Sequence, residues 1–220
     1  MFNFFRKKPV IIINFKTYKQ GKEVIRLAKK IDKVARVNKK YKFIVGVQPT
    51  DIYEVAKAVK LPVVSEHVDP FLPGRYTGFI LPEAIKKDKG KGTFLNHSEH
   101  PLKFDTLKQT IKRCKVLHLK TAVFVKNIKG AKKVEKFKPT YLIYEPPELV
   151  GGRISVSSSK PRIIKEFSRK IRRKFLVGAG IHSNKDFKIA LELGASGIAL
   201  SSAIVKSKAP EKKLRDLLMN

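Results

Sequence analysis

The chain predicts a compact (β/α)8 barrel, a closed ring of eight parallel strands with some shortened helices, filling one domain over 1–220. Three observations lead there. Strand-like and helix-like segments alternate from end to end, without a Gly/Ser linker or low-complexity tract. The strand segments are near-continuous runs rich in Val, Ile and Leu, as expected of parallel strands covered on both faces. The length of 220 residues suits eight such units, since single barrels of this type run to about 200–250 residues. An open doubly wound sheet is the weaker alternative, because no GxGxxG turn follows the first strand.

The elements follow in order. Val10 to Phe15 is apolar and β-branched, a buried strand. Gly21 to Val37 places Val24, Leu27, Ala28, Ile31 and Val34 on one helical stripe. The strand signal returns at Phe43 to Val47, Val63 to His67, Thr93 to Asn96, Thr121 to Val125, Leu142 to Tyr144, Phe175 to Gly178 and Gly197 to Leu200. Helical patterns between them include Ile52 to Val59, Thr106 to Leu117, Pro161 to Lys174, Asp186 to Leu193 and Pro210 to Leu218. Between Val125 and Tyr141 there is room for about one helix of moderate length, hence the expectation of shortened helices.

Composition narrows the classes of function. The longest apolar runs, such as Pro9 to Ile13, fall far short of the roughly 20 residues that cross a bilayer. Met1 to Phe5 places aromatic residues ahead of Arg6, Lys7 and Lys8, the reverse of a signal peptide. That start could cap the barrel end, pack in a subunit contact or meet a partner. The single cysteine, Cys114, excludes an internal disulfide and offers no metal-binding pair, which suits a reducing cytoplasm. With 49 Lys plus Arg against 18 Asp plus Glu, the formal charge is +31. Such a surface attracts polyanions of any kind. The densest basic cluster, Ser168 to Lys174, falls on an expected helix and has no interleaved aromatic residues, so specific nucleic-acid recognition is not expected. A basic barrel that binds RNA or another polyanion remains the alternative of a different class. Three Gln, one Cys and two Met alongside abundant Lys fit the composition of heat-adapted proteins.

Chemistry-bearing residues cluster where strands end. Asn14 and Lys16 are two apart at the end of the first strand, so both point toward the barrel mouth. A lysine there can hold a phosphoryl oxygen or stabilise charge growing on a carbonyl; it could also simply reach solvent. His97 follows the fourth strand, ahead of an expected helix start at Ser98, Glu99 and Pro101. The positive end of a helix dipole would favour its neutral form. Glu145 ends the sixth strand. Pro146 and Pro147 stiffen the loop that follows, and Gly151 and Gly152 soften its far side, the makings of a hinged lid. A carboxylate dehydrated by such a lid could take a proton from carbon, or it could merely cap a turn. Gly178 to Gly180 and Ser201 with Ser202 offer backbone amides after strands seven and eight, where barrels commonly hold phosphate.

These stretches, Asn14-Phe15-Lys16, Asn96-His97-Ser98-Glu99, Glu145 through Gly152, Gly178 to Gly180 and Ser201-Ser202, together resemble the triosephosphate isomerase family in its shorter archaeal form, from Val10 to Leu218. The resemblance implies a phosphorylated triose as substrate, interconverted between dihydroxyacetone phosphate and D-glyceraldehyde 3-phosphate in glycolysis and gluconeogenesis, with no metal or organic cofactor. It implies His97 as electrophile, Glu145 as proton acceptor and Lys16 as charge stabiliser, with Asn14 and Phe15 lining the substrate site. Val150, Gly151, Gly180, Ser201 and Ser202 would contact the phosphate end. Glu99 would be the ion-pair partner of Lys16, and Thr77 with Gly78 would lie in a loop reaching a neighbouring subunit of a homo-oligomer, a tetramer in preference to a dimer. It further implies a cytoplasmic protein without a membrane or specific nucleic-acid partner. Another phosphosugar isomerase on the same barrel is the nearest enzymatic alternative. The lid departs from the family's Gly-Thr-Gly ending: Gly151, Gly152 and Arg153 stand there, a bulky cation where a flexible hinge residue is usual.

Overall fold

The computed structural model describes residues 8–149 and 156–219. Eight parallel strands close into a barrel in sequence order: β1 (Val10–Asn14), β2 (Lys42–Val47), β3 (Val63–Ser65), β4 (Gly92–Leu95), β5 (Lys120–Val125), β6 (Tyr141–Tyr144), β7 (Phe175–Val177) and β8 (Gly197–Leu200). Closure occurs where β8 pairs with β1, with Val10 opposite Gly197 and Ile13 opposite Leu200. The expected eight-stranded parallel barrel is therefore the observed one.

Around the strands lie α1 (Lys22–Val37), α2 (Ile52–Ala58), α3 (Pro82–Lys87), α4 (Phe104–Val116), α5 (Ile128–Glu135), α6 (Val156–Ser159), α7 (Pro161–Lys170), α8 (Asn184–Glu192), α9 (Ser202–Val205) and α10 (Pro210–Leu218). The expected stripe of α1 is buried. Three short helices, α3, α6 and α9, carry too few residues to show a period in the sequence. The connection between β5 and β6 does hold a single eight-residue helix.

One helix ends earlier than its sequence suggests. The helical pattern from Pro161 runs to Lys174, but α7 stops at Lys170 and Ile171 turns extended and buried. Part of the basic cluster is thereby committed to structure. The Arg172 amide donates to Glu135 Oε2 at 3.1 Å, and the Arg173 guanidinium donates to the Pro139 carbonyl, with Nη2 at 3.0 Å.

Alternation along the strands sorts side chains into two separate cores. Inside the barrel, Val10 and Ile12 meet Ile44, Val64, Phe94, Ala122, Phe124, Tyr141, Ile143, Leu176 and Ala199. Between barrel and helices, Ile11, Ile13, Val45, Val47, Leu95, Val123 and Leu142 pack on α1, α4, α7 and α10 through Ile31, Ile111, Phe167 and Leu217. The same alternation carries inward-facing positions up to the mouth, where the candidate residues stand.

The seam between β1 and β8 tolerates no side chain at Gly197. Its φ is 151°, and a Cβ there would lie 1.9 Å from the Val10 carbonyl oxygen, a backbone atom that cannot move aside. Gly197→Ala is expected to lower unfolding free energy by at least about 2 kcal/mol, or to abolish the barrel. Urea denaturation followed by far-UV circular dichroism checks this; a midpoint equal to wild type would refute it.

Candidate active site

A cleft at the C-terminal end of the barrel is lined by Asn14, Lys16, His97, Glu145, Gly180, Ser201 and Ser202 together with Tyr18, Phe124 and His182. Most of the residues singled out in the sequence thus meet at one mouth. Phe15 does not line it. It is 1% exposed and packs in the layer between barrel and helices, supporting its neighbours from behind. Val150 and Gly151, with Gly152 and Arg153, lie outside the described residues.

Lys16 is held by its neighbours at both ends, backbone and ammonium. Its φ of 48° is left-handed, uncommon for a residue with a Cβ. The Asn14 side chain favours that turn, because Asn14 Oδ1 accepts the Lys16 amide at 3.0 Å. At the other end, Lys16 Nζ lies 2.6 Å from Glu99 Oε1. Glu99 is more than half exposed, whereas the Lys16 side chain is largely covered. The ammonium is therefore fixed at the cleft wall rather than free in solvent.

His97 reaches the mouth by a different device. Asn96 follows β4 with φ 59°, which interrupts the alternation of side chains. The turn is pinned on both sides, since Asn96 Nδ2 donates to the Phe124 carbonyl at 2.9 Å and Asn96 Oδ1 accepts the Leu102 amide at 3.0 Å. The imidazole, 8% exposed, packs edge-on against Phe124. No helix begins at Ser98: a single turn closes from the His100 amide to the His97 carbonyl, and α4 starts only at Phe104. The setting expected from the sequence is corrected accordingly. A single amide replaces the helix dipole, the Glu99 N–H donating to His97 Nδ1 at 3.1 Å. Glu99 Oε2 stands 3.6 Å from the same nitrogen, beyond hydrogen-bonding distance, so the amide takes it. An amide can only donate, so Nδ1 carries no proton and the ring's N–H is Nε2.

That Nε2 faces Glu145. The two groups are 3.1 Å apart, Nε2 to Oε2, each about 10% exposed. Yet Glu145 Oε2 is buried without a hydrogen bond, because close approach here is not matched by direction. A carboxylate oxygen in that condition is short of a proton donor. Space for the carboxylate comes from the residue just past β7: a Cβ at Gly178 would sit 2.8 Å from Glu145 Oε1 and 3.3 Å from Ile143 Cγ2. Gly178 therefore matters for what it leaves out.

The third wall comes from the loops after β7 and β8. Ala179 and Gly180 are both left-handed, with φ of 71° and 66°. α9 opens directly after Ser201, and the first amides of a helix have no acceptor within it. Ser201 Oγ is buried in the cleft wall without a partner among the described residues.

One further group stands near Lys16 and was not singled out. Glu66 follows β3, its amide bonded to the Val47 carbonyl at 3.0 Å. Burial pushes its carboxyl up to about 7, helped by the charges of Asp51 and Glu99, while the Lys16 amide and ammonium pull the other way. Its Oε1 is buried and unbonded. Alternation from Val64, which lies inside the barrel, puts Glu66 in the inward-facing register just past β3, although it does not line the cleft.

Comparison with known proteins agrees with this geometry. The family model described as triosephosphate isomerase matches residues 9–216. Proteins named triosephosphate isomerase are similar over nearly their whole length. The one from Saccharolobus solfataricus is 40% identical, covering 96% of either chain. That from Methanocaldococcus jannaschii is 37% identical over 95% of this chain and 98% of its own. That from Sulfurisphaera tokodaii is 36% identical over 97% and 96%. With a closed eight-stranded barrel, an imidazole facing a carboxylate in its mouth and a family match across nearly the whole chain, this protein belongs to the triosephosphate isomerase family.

Proposed function

We propose that the chain interconverts dihydroxyacetone phosphate and D-glyceraldehyde 3-phosphate, serving glycolysis and gluconeogenesis, and that Glu145, His97 and Lys16 perform the chemistry. The observation that carries this reading is the partnerless Glu145 oxygen 3.1 Å from a His97 nitrogen that bears the ring proton. A neutral histidine electrophile beside a glutamate base is the established pattern of the family.

In this scheme Glu145 takes a proton from one carbon of the bound triose and returns it to the neighbouring carbon. The enediolate formed in between carries charge on oxygen. His97 Nε2–H donates to that oxygen, and the Lys16 ammonium stabilises it through space. Lys16 is already immobilised by Asn14 and Glu99, so little reorganisation is needed when the charge appears. The phosphate would rest on amides of Gly180, Ser201 and Ser202, with Val150 and Gly151 closing from the lid. All the groups required are side chains and amides of this chain, so the scheme calls for no metal or organic cofactor.

Glu145→Gln is expected to lower kcat by at least about 10²- to 10⁴-fold. Glu145→Asp should lower it about 10²-fold, because withdrawing the carboxylate by one methylene misplaces it by about 1 Å. Both should fold normally. A coupled assay of glyceraldehyde 3-phosphate conversion decides; wild-type turnover in either variant would remove Glu145 from the role.

The proposal extends to a homo-oligomer, with a tetramer preferred to a dimer. In the loop after β3, the exposed ring of Tyr76 stacks on Phe71 at 4.2 Å, and Phe79 and Leu72 stand half or more exposed beside the turn at Thr77 and Gly78. On α4, Phe104 and Val116 are exposed at opposite ends of the helix. The aromatic cluster of the β3 loop offers an apolar surface for self-association. Tyr76→Glu should reduce the particle mass measured by light scattering, and an unchanged mass would exclude this loop from the interface. A cytoplasmic setting is supported by Cys114, which is buried with its thiol pushed up to about 12 by desolvation. Among the described residues, no helix is long and apolar enough to cross a membrane. Nothing in the fold or among the relatives favours the polyanion-binding alternative.

A further inference from the structure

The end of the barrel opposite the cleft gathers cations that no acid answers. Alternation from Ile44 and Ala122 turns Lys42 of β2 and Lys120 of β5 inward, into the layer that also holds Tyr141 of β6. Lys42 reaches across the ring, its Nζ donating to the Tyr141 hydroxyl at 3.3 Å. Tyr141 is 5% exposed, and among the described residues nothing accepts its own O–H proton. Lys91 and Lys120 border the same small space as Tyr141 and Phe94. Burial, and after it the charge of Lys42, holds the Lys120 ammonium below its ordinary value.

An open cleft of about 310 Å³ adjoins this layer, lined by Lys8, Lys39, Lys42 and Lys60 between the end of α1 and the segment before β3. Its volume reaches the lower end of the range for small-molecule sites, roughly 300–1,000 Å³. Among the described residues Asp32 is the acid in its lining, and both carboxylate oxygens are engaged. Oδ2 accepts Arg36 Nε at 2.7 Å, and Oδ1 accepts the Lys60 amide at 3.2 Å. Asp32 therefore builds the wall and leaves the lysines unneutralised. None of Lys8, Lys39, Lys42, Lys60, Lys91 and Lys120 has an acidic partner among the described residues, whereas Lys19, Lys170 and Lys212 each pair with an acid four residues away.

We propose that this end of the barrel is a second ligand site, for a small anion carrying two or more phosphoryl groups, held by Lys42, Lys60 and Lys120 with the Tyr141 hydroxyl as a further donor. The Tyr141 oxygen accepts from Lys42, so its proton is left for an incoming oxygen. Ammonium groups suit phosphoryl oxygens as point charges with three donors each. The cations run from the cleft, at Lys60, to the inside of the barrel, at Lys120, a spread that calls for more than one charged group on the ligand. A nucleic-acid strand is a poorer match. Tyr41 in the cleft wall already has its ring against Phe187 at 5.6 Å, Phe43 at 6.4 Å and Lys40 Nζ at 5.3 Å, so it gives bases no face to stack on. No residue lines both this site and the cleft at the other end.

Calorimetry with inorganic pyrophosphate as the probe tests the site, in about 0.1 M chloride, where exposed charges more than about 10 Å apart are largely screened. Wild type should bind pyrophosphate, and Lys42→Gln/Lys120→Gln should weaken that binding at least about tenfold, the scale of one lost charge-assisted hydrogen bond. Tyr141→Phe and Lys60→Gln, which remove one donor group each, should weaken it about threefold or more. Lys129→Gln/Lys132→Gln takes the same charge from exposed positions of α5 and should change it less than about twofold. Far-UV circular dichroism and turnover of all four variants should match wild type, because none of these residues lines the cleft. Pyrophosphate should also raise the Tm of wild type more than that of Lys42→Gln/Lys120→Gln. Equal weakening by the two double variants would reduce the cluster to bulk charge and overturn the proposal. Wild type that binds no pyrophosphate, or binding that survives loss of Lys42, Lys60, Lys120 and the Tyr141 hydroxyl alike, would overturn it as well.

Discussion

Closing parallel strands into a ring forces every second side chain toward the axis, and the whole site depends on that alternation. In β1, Val10 and Ile12 fill the interior and Asn14 continues the same face to the rim. In β6, Tyr141 and Ile143 lead to Glu145. In β3, Val64 leads to Glu66, and in β8, Ala199 leads to Ser201. The residues of the mouth are therefore the topmost layer of the same stack that forms the inner core, and the packing below fixes their positions.

Alternation alone would leave the mouth lined by whatever sits next in register. The chain departs from it with left-handed residues at the rim. Lys16, Asn96 and Ala179 all adopt positive φ despite carrying a Cβ. Such conformations cost of the order of 1 kcal/mol each and persist only where surroundings enforce them. The enforcing contacts are visible for two: Asn14 Oδ1 on the Lys16 amide, and the paired bonds of the Asn96 side chain. At the rim these turns set the direction of the candidate side chains, while Lys89, His118 and Lys138 take the same conformation at the other end of the barrel.

Much of this was legible from residue order. The strands are short apolar runs with sharp ends, so their boundaries fell within about two residues of those observed. Glu145 and His97 stood out because prolines, glycines and acidic neighbours mark the loops that carry them. Less legible were features decided by tertiary contacts. The pattern of α7 continues past Lys170 because Arg172 and Arg173 are compatible with a helix, but Ile171 finds a buried place and both arginines find acceptors across the fold. Ser98 to Pro101 read as a helix start, yet the loop is organised by Asn96 instead. Glu66 went unnoticed since a lone glutamate after a short strand carries no local signature. Its character comes from burial beside Asp51, Glu99 and Lys16, which are distant in sequence.

Gly178 ties two strands together in a way that constrains how this mouth can change. Its missing side chain leaves the space in which the Glu145 carboxylate stands, so the residue just past β7 makes room for a group just past β6. A methyl group at 178 would push the carboxylate oxygen from its place. The seat of the Glu145 carboxylate is thus set partly from the neighbouring strand, by the absence of a single methyl group.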